Sequence, residues 1–313
     1  MVIAMKPRHI PVMAQEVVRY LVTGNGGIYL DCTVGTGGHA AKILEVTSPY
    51  GRLIGIDVDP QAISLAKENL SLYGDRVSLI HGNFADLAQI LAGQGISEVD
   101  GVLMDLGVSA LQFDTPSRGF SFRHRGPLDM RMDQTSGQPV SRDLNRKNAA
   151  ELAKIIRDFG EERWARRIAV SIVEARRKAP LKTTTQLAEI VEKSVPRSSR
   201  NIHPATRTFQ AFRIYRNREL ANLKSGLDQA IPALRSGGRI CVISFHSLED
   251  RIVKRTFRAA EHGCICPPEA PVCVCGRKPA LRVLTKRPVT PREEEIKVNP
   301  RCRSAKLRAA AKL

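Results

Sequence analysis

Asp31, the run Gly35-Thr36-Gly37-Gly38-His39 and Asp57 have the residue types and spacing needed to hold a small charged ligand. Glycines let a backbone turn sharply and approach a ligand closely. A helix that opens behind them offers backbone N–H groups with no partner in its own first turn. An acid 19 residues after Gly38 is spaced to take the hydroxyls of a ribose. The flanking segments supply the scaffold. Tyr29-Leu30-Asp31 is apolar and ends in an acid, Ala40 to Val46 is helical, and Leu53-Ile54-Gly55-Ile56-Asp57 repeats the apolar pattern. Strand, glycine turn, helix and strand make a βαβ unit.

Two cofactor classes use this layout. Gly35-Thr36-Gly37-Gly38-His39-Ala40 fits the dinucleotide pattern G-x-G-x-x-A, so NAD competes. Asp31, four residues before Gly35, favours S-adenosylmethionine. An acid there resembles the first motif of class I methyltransferases, where it can face the amino group of the methionine part. NAD has no such group.

Further candidates fall at other strand ends. Val77 to His81 alternates as a strand and is followed by Phe84, which can stack on a base or serve as ordinary core. Gly101 to Asp105 is an apolar strand ending on a charge, which needs a partner or a task. Arg239 to Phe245 leads to His246, a site candidate or a structural histidine. Between them, Arg118-Gly119-Phe120-Ser121-Phe122-Arg123 interleaves arginine with aromatics, a composition suited to phosphate contact with base stacking. Cys264, Cys266, Cys273 and Cys275 form C-x-C-x6-C-x-C. Four thiolates suffice for tetrahedral zinc, but the spacing departs from the C-x2-4-C knuckle and carries no metal assignment alone. Cys32, Cys241 and Cys302 read as buried thiols.

The elements that must position these residues suggest an α/β protein with a helical insertion. Ala14 to Leu21 reads as a helix with one apolar face. Asp59-Pro60 reads as N-cap and first turn of another. After Gln112 the βα alternation stops. Helices are expected at Asn148 to Phe159, Glu161 to Lys178 and Thr184 to Lys193, with Thr185 as a cap. Ser198-Ser199-Arg200-Asn201 reads as a loop near the exit. A long helix then runs from about His203 to Leu234, kinked at Pro232. The expected division is a Rossmann-like domain from 1–112 and 206–300, an all-helical insert from 113–205, and a basic, helix-prone tail from 301–313 that orders on RNA.

The net charge of +18 is uneven. Residues 115–210 hold 20 Lys/Arg against 10 Asp/Glu, and residues 276–313 hold 12 against 3. The remainder is near neutral, so two basic blocks adjoin a neutral core. Confinement of this kind points to nucleic acid, whose phosphates are neutralised by Lys and Arg. Met1 to Met13 lacks the apolar stretch of a signal peptide. No apolar run approaches the ~20 residues of a membrane helix. The expectation is a soluble cytoplasmic protein with no membrane partner.

Taken together, several stretches resemble the bacterial small-subunit ribosomal RNA cytosine-N4 methyltransferases, the RsmH or MraW family. They are His9-Ile10-Pro11-Val12, Gly35 to His39, Gly55 to Pro60, Asp105-Leu106-Gly107-Val108-Ser109, Arg118 to Phe122, Gly126 to Met132, His203 to Gln210 and Ser244 to Arg251. The resemblance implies a class I Rossmann-like methyltransferase sheet with an inserted all-helical domain. It implies S-adenosylmethionine as cofactor, held by Gly37, Gly38, His39, Asp57, Phe84, Asp105 and Gln112. The implied substrate is one cytidine in the decoding region of 16S rRNA, in the small ribosomal subunit. Asp105 is the catalytic candidate. Arg118, Phe120, Phe122, Arg131, Arg207, Arg213 and His246 are the candidate RNA contacts. DNA amino-methyltransferases follow their strand-end acid or amide with Pro-Pro-Tyr. Here Leu106-Gly107-Val108 follows Asp105, so Phe120 or Phe122 must supply the base stacking.

Overall fold

A computed structural model describes residues 11–196, 203–264, 266, 272 and 275–313. His9 and Ile10, the Ser198 to Asn201 loop and Cys273 lie outside the described residues. The chain begins with α1 (Ala14–Leu21), β1 (Ile28–Asp31), α2 (Gly38–Val46), β2 (Arg52–Asp57), α3 (Pro60–Asn69), β3 (Val77–His81), α4 (Leu87–Gly93) and β4 (Val99–Asp105). Six helices follow: α5 (Ala110–Asp114), α6 (Val140–Arg146), α7 (Ala149–Gly160), α8 (Ala165–Lys178), α9 (Thr184–Ser194) and α10 (Ala205–Asn217). The remainder is α11 (Glu219–Ala233), β5 (Leu234–Ser244), α12 (Ser247–His262), β6 (Leu281–Val283), α13 (Glu293–Val298) and β7 (Lys306–Lys312). Two compact units result, Met1–Gly107 with Leu220–Leu313, and Val108–Glu219.

The first unit is a seven-stranded sheet in the order β3-β2-β1-β4-β5-β7-β6. β3 through β5 are parallel, and β7 runs antiparallel between β5 and β6. The strands are buried on both faces, and the alternation of side chains divides their apolar residues into two clusters. Leu30, Ile54, Val102, Ile240 and Val242 pack on one side with Leu223, Leu227 and Phe257. Tyr29, Leu53, Leu103, Cys241 and Ile243 pack on the other with Val17, Leu21, Ile43 and Leu44. Asp59 caps α3, its side chain accepting from the Gln61 N–H, with Pro60 in the first turn. No described helix is long and apolar enough to cross a membrane.

The tail corrects the expectation of an RNA-ordered helix. Lys306–Lys312 is a strand, and Leu307 and Ala309 to Ala311 are buried. Small side chains fit a strand covered on both faces, and sheet pairing overrides alanine's helix propensity. Arg308 is buried too, its Nε donating to Asp250 Oδ1 at 2.6 Å.

The second unit is wider than the expected insert. α10 packs with α7 and α9 within it, and Phe209, Ala211 and Phe212 share one apolar cluster with Leu152, Ile156, Ile168 and Leu187. The expected long helix is two, broken where Arg218 adopts a left-handed φ of 54°. Pro232 falls in the last turn of α11 rather than kinking a longer rod. The cap of α9 is Thr183, not Thr185: its side chain accepts from the Gln186 N–H, and Gln186 reciprocates.

Candidate active site

Strand order reverses between β1 and β4, so their exits diverge and leave a crevice at the carboxyl ends. Three acids end adjacent strands there: Asp57 on β2, Asp31 on β1 and Asp105 on β4. Each is fixed by backbone. Asp57 accepts from the Gly35 and Asp59 N–H groups, both at 2.9 Å. Asp31 Oδ1 accepts from the Thr33 N–H at 3.1 Å. The Asp105 N–H donates to Thr33 Oγ1 at 2.7 Å, tying the β4 exit to the glycine turn. Thr33 was not singled out from sequence. Its only signal was a hydroxyl inside the turn.

The turn brings α2 to the same place. Gly37 has φ 89°, and a Cβ built there would stand 2.9 Å from Leu70 Cγ. Glycine, having no Cβ, takes that conformation without the strain an L side chain would bring. His39, in the first turn of α2, is buried, and its Nε2 lies 3.5 Å from Asp105 Oδ2.

Burial sets the electrostatics. Desolvation raises Asp31 to about 7, against the opposing pull of His39 and the Thr33 N–H. Asp57 rises to about 6 for the same first reason, opposed by its two N–H donors. His39 is lowered by desolvation, but the hydrogen bond and charge of Asp105, then the charge of Asp31, outweigh this and its net shift is upward. Asp31 Oδ2, Asp105 Oδ1 and His39 Nδ1 are buried and have no hydrogen-bond partner among the described residues, while His39 Nε2 faces only the Asp105 carboxylate, at 3.5 Å. Buried polar atoms without partners are costly, and at a strand-end crevice they mark a place for a ligand. Two partnerless carboxylate oxygens favour a cationic one.

Other candidates stand as follows. Phe84 lies at the rim of one sheet cluster, against Gly226 of α11, where an added Cβ would be 2.5 Å from its ring. Gln112, in the helical unit, is buried, and its Oε1 accepts from the Ser109 N–H at 3.3 Å in the α5 capping box. His246, at the exit of β5, is buried with Nε2 3.1 Å from Glu249 Oε1.

Most of the expected RNA contacts prove to be internal. Arg118 is buried, and its guanidinium donates to the Arg131 and Met132 carbonyls. Arg131 is paired with Asp129 through two hydrogen bonds of 2.7 and 2.9 Å. Arg213 is paired likewise with Glu219, at 2.9 and 2.8 Å. Phe120 belongs to the helical core. These four side chains help hold the helical unit together. An arginine-rich loop without regular structure needs donors to satisfy its own carbonyls. Phe122 stacks on His203 with ring centroids 4.3 Å apart. Arg207 donates to the Glu161 carbonyl at 3.0 Å. Cations that face solvent include Arg163, Arg166, Arg167 and Arg177 on α8 and just before it, with Arg123, Arg125, Arg142, Arg146 and Arg157 elsewhere in the helical unit.

A protein named ribosomal RNA small subunit methyltransferase H from Geotalea uraniireducens is 54% identical over 307 residues, covering 97% of this chain and 98% of its own. One of the same name from Symbiobacterium thermophilum is 52% identical over 307 residues, covering 97% of this chain and 96% of its own. Among solved structures, an rRNA methylase from Streptococcus thermophilus aligns over 100% of this chain and 99% of its own, with a TM-score of 0.42 and 11% identity. A family model described as the MraW methylase family matches residues 6–313. With that match across nearly its whole length, the chain belongs to the MraW methylase family.

Proposed function

We propose that the chain transfers a methyl group from S-adenosylmethionine to the exocyclic N4 amine of one cytidine in the decoding region of small-subunit ribosomal RNA. The observation that carries the reading is the set of strand-end acids, Asp31 buried and Asp57 and Asp105 half-buried, with the buried atoms Asp31 Oδ2 and Asp105 Oδ1 lacking partners. A sulfonium and an ammonium, both cationic, complement them. The pyrophosphate of NAD would meet two carboxylates where a dinucleotide site offers N–H groups.

In this reading Gly37 and Gly38 cradle the methionine carboxylate at the start of α2, and Asp31 takes the ammonium. Asp57 takes the ribose and Phe84 flanks the adenine, while Gln112 stands as a cofactor contact only on the family resemblance. When bound, the cofactor supplies an electrophilic methyl group. The cytosine amine is a poor nucleophile because its lone pair is delocalised into the ring. Asp105 accepts a hydrogen bond from the amine, which keeps both its hydrogens through the transfer, so that the lone pair localises toward the methyl group. His39 orients the Asp105 carboxylate and keeps its second oxygen in place. Positioning of this kind lowers a barrier by several kcal/mol without a strong base. The proton can leave after transfer, since the product ammonium is strongly acidic. Phe122, Arg207 and His246 remain candidates for the RNA, together with the exposed arginines of α8.

The test is the product. Labelled S-adenosylmethionine, the enzyme and either free 16S rRNA or small subunits are combined, and the digested nucleosides are separated by mass spectrometry. N4-methylcytidine is the expected product. Label in another nucleoside, or in none, would overturn the assignment.

A further inference from the structure

Between α12 and β6 the chain makes an excursion that the methyl-transfer site does not use. Its base is closed by the Ala280 N–H, which donates to the Ala260 carbonyl at 2.8 Å. On either side Phe257 and Leu281 are buried in the same sheet cluster, so both ends are anchored. No helix or strand occurs among its described residues, and Val272 is 70% exposed.

Three cysteines converge there. The Sγ atoms of Cys264, Cys266 and Cys275 all lie within 4.8 Å of one another. Cys264 and Cys275 are 3.8 Å apart, sulfur to sulfur. That separation is far beyond the ~2.05 Å of a disulfide. It equals the edge of a tetrahedron whose centre lies about 2.3 Å from each corner, the zinc–sulfur bond length, for which the edge is about 3.8 Å. The Cys266 N–H points at Cys264 Sγ, 3.4 Å away, a donor that favours the thiolate. Gly276, directly after Cys275, has a left-handed φ of 63°, which turns the chain back at the third sulfur. Arg277 and Lys278 follow, both exposed, and their charge offsets that of the thiolates.

We propose that Cys264, Cys266 and Cys275 bind a zinc ion that pins this excursion in place, a structural site separate from the methyl-transfer chemistry. Thiolates select a soft or borderline ion, and a site closed by three sulfurs leaves one position of the tetrahedron for a further ligand. The sequence holds a fourth cysteine in the segment, Cys273, so the number of ligating thiolates is itself a readout.

The experiment uses the full chain, purified under a phosphine reductant with zinc supplied during growth. Expected is about one zinc per chain by elemental analysis, retained on gel filtration. Replacement by cobalt should give the intense sulfur-to-metal charge-transfer bands of a tetrahedral thiolate site, with intensity rising with the number of thiolates. The variant C264S/C266S/C275S should lose the metal. If that variant fails to fold, alkylation of the parent decides: at least three cysteines should become reactive only after a strong chelator is added. Metal-free parent protein, zinc retained by a folded triple variant, cysteines equally reactive with and without chelator, or a mass showing a disulfide would each overturn the proposal.

Discussion

Lowering the pH should weaken cofactor binding through Asp31. Burial raises this acid to about 7, and its free oxygen is the one offered to a cationic ligand. Only the ionised form pairs with the ammonium, so the apparent dissociation constant rises as that form disappears. Between about pH 8 and about pH 6 the ionised fraction falls roughly 10-fold, with about 2-fold more from Asp57, which titrates near 6. The ligand's own α-amino group titrates near 8, so the informative quantity is the difference between parent and Asp31→Asn. The variant should bind about 10- to 150-fold more weakly at pH 8, the loss of one charged hydrogen bond, and should lack the roughly 10-fold pH term. Stability should move oppositely. Because folding raises this carboxyl, its ionisation costs nothing below the unfolded value of 3.8 and costs in full above about 7. Asp31→Asn removes that cost, so it should melt higher than the parent at pH 8, by at most about 4 kcal/mol, and alike near pH 4. Calorimetric titration and thermal melts measure both. Parallel pH profiles for the two proteins would refute the reasoning.

Three further outcomes follow from the same geometry. Gly37→Ala forces an L residue into a left-handed turn against Leu70 and should cost about 1–2 kcal/mol in urea unfolding, together with weaker cofactor binding; an unchanged midpoint would argue against the cradle. Deleting residues 302–313 removes an interior strand and should leave no folded protein by circular dichroism, while the milder Arg308→Ala, which leaves Asp250 only Lys306 at 3.8 Å, should cost about 1.5–3 kcal/mol; a stable, soluble truncation would contradict the sheet order. Replacing Arg163, Arg166 and Arg167 with alanine should flatten the log–log salt dependence of 16S rRNA binding by about 2, at about 0.7 per single-strand phosphate contact; identical slopes would move the RNA surface elsewhere.

The glycine turn and its acids were legible because local chemistry dictates them. An apolar strand, a turn needing positive φ and an Asp-Pro helix start each leave a signature within a few residues. The tail was not legible. Lys306 to Lys312 reads as helix by propensity, and only pairing with β5, 62 to 72 residues earlier in the chain, makes it a strand. The break at Arg218 left no trace either, since a left-handed arginine has no composition signal. Charge counting found the basic helical unit but not which arginines face water. Asp129 two residues before Arg131 and Glu219 six after Arg213 were visible as spacings. Whether such spacings become ion pairs depends on the packing of the loop and of α10, which no window of sequence contains.

The account turns on Asp105, the acid at the end of β4 with one oxygen beside His39 and one without a partner. Single-turnover methyl transfer by Asp105→Asn, at saturating S-adenosylmethionine and small subunits, tests it most directly. The variant keeps an acceptor oxygen and loses the charge. Cofactor affinity should stay within about tenfold, ~1.4 kcal/mol, while the rate of transfer falls at least ~100-fold, the low end for losing a positioned acid–base group. A single-turnover rate equal to the parent's would contradict the claim that Asp105 directs the transfer.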